Sequence, residues 1–281
     1  MAWNFVDAAY PYRLRGTNQQ TNTGLLWTPP SYRVNQSGGA PATSTLLCQG
    51  LALGSFSLHN RSGGSIIAGI GVRIPNRYWI AGQWDDDGAT PFSDDTADAQ
   101  STAASDFALE TTTNNDGYVI ASRVPFNAIS WNIGTASVGG APVRAVRYSN
   151  AAGSGWTDFA NLFVQDADTG QYTTGEQILV VSAPVDWGQT QAGGLSGIPA
   201  GLYAMNVRAT TAPTTTAGIG TSLEIFRLYL LTEAIADNGS REWTPTNGAM
   251  KMPPEGDALV ALFSGTANNQ NRATASVRTT S

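Results

Sequence analysis

Three features of this 281-residue chain predict an all-β fold, an antiparallel β-sandwich or jelly roll with an extended N-terminal arm. Apolar residues recur with a period of two, as on a strand with one buried face. Turn-forming Gly, Pro, Asn and Asp break these runs at short intervals. Only 13% of residues are charged, so Thr, Ser, Asn, Gln and Gly must cover large areas of surface. Such a surface suits a protein that packs against neighbours. No composition break divides the chain, so the expected organisation is an arm over residues 1–43 and one sandwich body over residues 44–281.

In the arm, Trp3, Phe5, Tyr10, Tyr12, Trp27 and Tyr32 lie in polar sequence without a sustained period. Its aromatics are expected to dock on another subunit or on the body; an ordinary edge strand with loops is the alternative. Strands follow at residues 51–59, 65–74 and 77–84. In the second, Ile66, Ala68, Ile70, Val72 and Ile74 share a face, and the preceding Ser-Gly-Gly supplies a hairpin turn. Seven aspartates then fall within residues 85–106 with no Lys or Arg, which reads as a long solvated loop. After a strand beginning at residues 107–112, Asn114, Asn115, Asp116 and Gly117 turn the chain into its most regular stretch, residues 117–133. Tyr118, Ile120 and Val124 alternate in its first half, and Ile129, Trp131 and Ile133 share a face in its second. Pro125 lacks an amide donor, so it marks the corner between two strands. Further strands are expected at residues 143–148, 156–165, 177–183, 202–210, 222–231, 258–263 and 274–278, with one short helical turn at residues 232–237.

Net charge is −6, but setting the seven clustered aspartates aside leaves fourteen acids against fifteen basic residues. Without a basic block, direct nucleic-acid binding is not expected. No stretch reaches the ~20 apolar residues of a membrane span, so no membrane partner is expected. A lone Cys48 allows neither an intramolecular disulfide nor a cysteine-based zinc site, and reads as a small apolar filler. The chain starts without the basic and then apolar pattern of a secretory signal, so synthesis in the cytoplasm is expected.

Catalytic material is sparse. The single histidine, His59, stands at a strand end without a carboxylate pattern or a GxSxG elbow, and reads as a solvated strand-end residue. Glu110, Glu176, Glu224, Glu233, Glu242 and Glu255 are available for a glycosidase pair, yet none lies in a motif. No cofactor is expected; calcium is the one candidate cation. Asp85, Asp86, Asp87, Asp94 and Asp95 are its candidate ligands, because hard cations take several carboxylate oxygens, although their spacing is not that of an EF-hand. The turn at residues 166–170 with Glu176 is a second, weaker candidate. Among the tryptophans, Trp79, Trp84, Trp131, Trp156 and Trp187 can in principle line a sugar groove, with Trp79, Trp84 and Trp131 nominated as its face. In a β-sandwich most of them are expected to be core or interface residues instead.

A single lysine, Lys251, loops rich in Thr, Ala, Gly and Asn, an aromatic arm and an all-β strand pattern together resemble the virion structural proteins of tailed bacteriophages, especially jelly-roll proteins that decorate or cement the capsid. The resemblance is one of style over the whole chain, and no site residue is carried over from it. It implies a virion location after synthesis in the host cytoplasm, with copies of the chain and other virion proteins as partners in a homo-oligomer. A receptor- or glycan-binding module of a tail or fibre is the alternative, and a carbohydrate-active hydrolase the third reading.

Overall fold

The computed structural model describes residues 5–6, 12–13, 23–27, 51–60, 64–101, 106–159, 162–164, 172–243, 250–251, 255–256, 258–263 and 272–279. Trp3, Tyr10, Tyr32, Cys48 and the turn at residues 166–170 lie outside these residues. The regular structure of the described residues is almost wholly strand, in antiparallel sheets packed as a sandwich. It forms two compact units, Met1–Pro75 with Phe226–Ser281, and Asn76–Ile225.

In chain order the strands are β1 Phe5–Val6, β2 Tyr12–Arg13, β3 Thr23–Trp27, β4 Leu51–His59 and β5 Ile66–Ile74. After a 3-10 turn at Asn76–Tyr78 come β6 Trp79–Trp84, β7 Phe92–Asp94, the four-residue helix α1 Thr96–Ala99, and β8 Phe107–Ala108. Next are β9 Gly117–Ser122, β10 Ala128–Thr135, β11 Val143–Ser149, β12 Trp156–Asp158, β13 Leu162–Val164, β14 Gly175–Val181 and β15 Tyr203–Thr211. The last are β16 Ile219–Ile235, β17 Ser240–Trp243, β18 Met250–Lys251, β19 Ala258–Phe263 and β20 Arg272–Thr279.

In the discontinuous unit one sheet runs β1-β20-β4-β17, with β2 also on β20 and β18 on β4. Another joins the second half of β16 to β5, β19 and β3. A Cβ at Gly71 of β5 would stand 2.7 Å from the Leu228 Cα of β16, so only glycine allows this approach. Buried Asn60 closes the end of β4: its Nδ2 donates to the carbonyls of Gly64 and Ile235, both at 2.6 Å.

The continuous unit carries the six-stranded sheet β12-β11-β15-β9-β6-β7. Its second sheet is β13-β14-β10 with the start of β16, to which β8 adds. Pro125 falls where expected, at the corner that takes the chain from β9 in the first sheet to β10 in the second. Tyr118 and Ile120 are fully buried, and Ile129, Trp131 and Ile133 are buried while Asn132 is exposed, as the alternation required. Phe107 of β8 meets Tyr118 of β9 with ring centroids 5.2 Å apart.

Three local expectations change. Residues 232–237 form no helical turn: β16 continues to Ile235, which is 2% exposed, because its apolar run still has a core to enter. The reversal comes at Asn238, whose φ of 59° suits an asparagine beside a glycine. Residues 156–165 divide into β12 on β11 and β13 on β14, which explains their poor alternation as one strand. The aspartate loop is also more ordered than its composition suggests, since β7 pairs with β6 through Trp84↔Phe92 and Gly82↔Asp94.

Candidate functional site

Both faces of the six-stranded sheet are covered. Val119 and Ala121 of β9 lie on the face opposite Tyr118 and Ile120, and register places Ala204 and Asn206 of β15 beside them. The apolar half of this outer face is closed by Leu195, Ile198 and Leu202 of the loop before β15, which pack with Trp84. Thr190 ties that loop shut: its hydroxyl donates to the Pro199 carbonyl at 2.6 Å and accepts from the Leu202 amide at 3.0 Å. A Gly- and Gln-rich stretch with no period thus becomes a folded cover.

The other half of the outer face is polar. Asn206 sits directly opposite Arg147 of β11, and Arg147 opposite Asp158 of β12, so the three side chains share one row. Arg208 lies two residues along β15 and reaches Asp158 at 3.6 Å. Trp156 closes the row: its ring centroid is 5.3 Å from that of Trp84, edge to face, and 5.3 Å from the Arg147 guanidinium carbon. From the aspartate loop comes Asp86, whose Oδ1 accepts from Trp84 Nε1 at 2.9 Å and from Arg147 Nη2. Partial burial pushes the Asp86 carboxyl upward, but the bonds from Arg147 and Trp84 outweigh this and leave it below its ordinary value. Burial in turn holds the Arg147 guanidinium below its ordinary range.

Several polar atoms in this row have no hydrogen-bond partner. Both amide atoms of the fully buried Asn206 are unpaired, as are Arg147 Nε, Arg208 Nε and Trp156 Nε1. A buried amide left unpaired costs about 1–3 kcal/mol. The groups assembled here are two guanidiniums, a carboxamide that can both donate and accept, and two indoles.

The candidate calcium residues separate. Asp86 is taken by Arg147. Asp94 accepts from the Thr96 amide at 2.9 Å, and Asp95 stands at the start of α1, away from the turn that holds Asp85 and Asp87. Asp85 and Asp87 instead converge with Asp116, their ligand oxygens all within 4.8 Å. Asp116 is fixed by the Thr111 hydroxyl at 2.6 Å and the Asp86 amide at 3.3 Å. Its place in the turn before β9 had concealed it.

Asp87 is held above the ordinary carboxylate range by a hydrogen bond shared with Asp85 and by the charges of Asp85 and Asp116. The fold therefore favours its neutral form; that contribution is present at low pH and is lost as pH rises through the raised value. Asp87→Asn is expected to raise Tm at neutral pH and to flatten its fall above the acid range, as thermal melts across a pH series will read. A lower Tm at neutral pH would contradict this. Calcium bound here would relieve the same repulsion, and a Tm indifferent to calcium and to EDTA removes the cation from the account.

Of the nominated glycan face, Trp79, Trp84 and Trp131 are 2%, 6% and 4% exposed. A sugar needs an open indole face, so these three do not form one; Trp156 is the half-exposed tryptophan of the outer face. Trp187 is buried in an aromatic cluster with Phe126, Tyr148, Phe159 and Tyr203. Of the arm residues, Phe5, Tyr12 and Trp27 lie in β1, β2 and β3. His59 pairs in register with Ser240 and Arg272. Glu110 is buried against Arg144, while Glu176 lies on β14, Glu224 and Glu233 on β16, and Glu242 on β17.

This geometry defines an antiparallel β-sandwich with a polar row on an outer sheet face. No family model matches the chain, and neither curated proteins nor solved structures show a match to it.

Proposed function

We propose that the chain is a structural subunit of a virus particle, of the kind that decorates or stabilises a bacteriophage capsid through contacts between copies. The observation that carries this reading is the pairing of the N-terminal segment. Within residues 1–43, β1 and β2 each add to β20, with Phe5↔Arg278 and Tyr12↔Ala273 in register, and β3 adds to β19 through Val260↔Leu25. Strands of two to five residues add by main-chain hydrogen bonds, which ask little of side-chain identity. The same edges accept an equivalent strand from a neighbouring copy, and symmetric repetition then converts weak contacts into a firm assembly. The low charge of the chain fits surfaces that meet other protein.

Light scattering over a concentration series, on the full chain and on a chain lacking residues 1–36, tests this reading. The expected result is a defined oligomer that dissociates when the segment is removed. A monomer at every concentration, with unchanged thermal stability after the deletion, would remove its support.

A further inference from the structure

We propose that the outer-face row of Arg147, Asn206, Arg208 and Trp156 is a binding site for a sugar acid, a pyranose bearing a carboxylate, and that Asp86 occupies the carboxylate position as an internal stand-in. Three independent features meet here. Asp86 makes the contacts a ligand carboxylate would make, accepting from the Arg147 guanidinium and the Trp84 indole N–H. It does so from an exposed loop, with its own side chain 34% exposed against 8% for Arg147, so the tether is at the solvent edge and the guanidinium is not.

The second feature is the unused hydrogen-bonding capacity behind that contact. Asn206 keeps a donor and an acceptor free, and Arg147 Nε, Arg208 Nε and Trp156 Nε1 are free donors. Neighbouring hydroxyls of a sugar ring are donors and acceptors at once and match a carboxamide of this kind, whereas phosphate offers no ring hydroxyls to it. The third is charge. Arg147 and Arg208 are balanced by Asp86 and Asp158; withdrawal of Asp86 leaves one positive charge unanswered beside the half-exposed indole of Trp156. A singly charged, polyhydroxylated ligand with an apolar ring face answers all three.

Because the stand-in competes with the ligand, weakening it raises apparent affinity by the fraction of closed protein it releases. Asp86→Asn keeps the acceptor for Trp84 and removes the charge. Calorimetric titration of this variant with glucuronate and with N-acetylneuraminate is expected to give saturable binding at least ~10-fold tighter than the unaltered chain shows for one of them. Glucose and inorganic phosphate should not bind comparably. Adding Asn206→Leu should abolish binding while leaving Tm equal or higher, since it removes an unpaired buried amide, and a merely structural asparagine would not produce that split. No saturable binding by folded Asp86→Asn protein overturns the proposal, as does phosphate binding as tight as glucuronate. Should the variant fail to fold, the unaltered chain decides: a saturable change in tryptophan fluorescence with millimolar glucuronate supports the site, and none overturns it.

Discussion

Replacing Glu110 with alanine is expected to cost about 3–5 kcal/mol of stability, because it strands a buried cation. Glu110 and Arg144 have side chains 1% and 8% exposed and meet at 2.8 Å. The other Glu110 oxygen accepts from the Gly218 amide at 3.0 Å, so alanine would orphan that N–H as well. Arg144 is itself sandwiched, its guanidinium carbon 3.6 Å from the Tyr172 ring centroid, with Ser137 accepting a further bond at 3.2 Å. It has nowhere to turn for water. Glu110 also compensates for the brevity of β8, only two residues long, by bonding to the segment that leads into β16. Urea denaturation followed by circular dichroism will measure the loss. Glu110→Gln should cost less, since it keeps an acceptor for Gly218. A cost below ~1 kcal/mol for alanine would place the pair with solvated surface bridges and defeat the argument.

A loss of similar size, about 3–5 kcal/mol, is expected for Trp187→Ala. The indole is 8% exposed and touches Phe126, Tyr148, Phe159 and Tyr203, with ring centroids 5.3 to 6.4 Å apart. Its Nε1 lies 3.1 Å from Ser149 Oγ and 3.2 Å from the Ala204 carbonyl. Trp187→Phe keeps much of the packing and loses the donor, so it should cost ~1 kcal/mol. Equal losses for the two substitutions would show that hydrogen bonding, not ring volume, holds this corner. The same denaturation experiment separates them.

The strands were legible where one face is apolar and the other is not. Ile66 to Ile74, the alternation through Tyr118 and Ile120, and the triplet Ile129, Trp131 and Ile133 each declared their period, and Pro125 declared the corner between sheets. Residues 156–165 misled because two three-residue strands of different sheets stand almost end to end, and no period survives in pieces that short. The polar row was hidden for a related reason. Arg144 and Arg147 stand three apart on one strand and so face opposite ways, one toward Glu110 and the other toward Asp86, yet in sequence they look equivalent. Asn206 lies between Met205 and Val207, where alternation says only that it leaves the sandwich interior. That a loop and a cover bury it is a tertiary fact. The tryptophans behaved as core packing requires, with Trp79, Trp84, Trp131 and Trp187 buried, so only their nomination as a sugar face fails.

The division of the chain also sets an order of events during synthesis. Residues 76–225 are contiguous and can complete their unit as soon as they leave the ribosome, whereas β4 and β5 must wait for β16, β19 and β20 to be translated. The pairing of β4 with β20 joins residues more than two hundred positions apart, a long-range closure of the kind that slows folding. Until then the first strands present open edges to every other nascent chain nearby. A growing chain of this design is exposed to mispairing along its first strands until its last strands have been made.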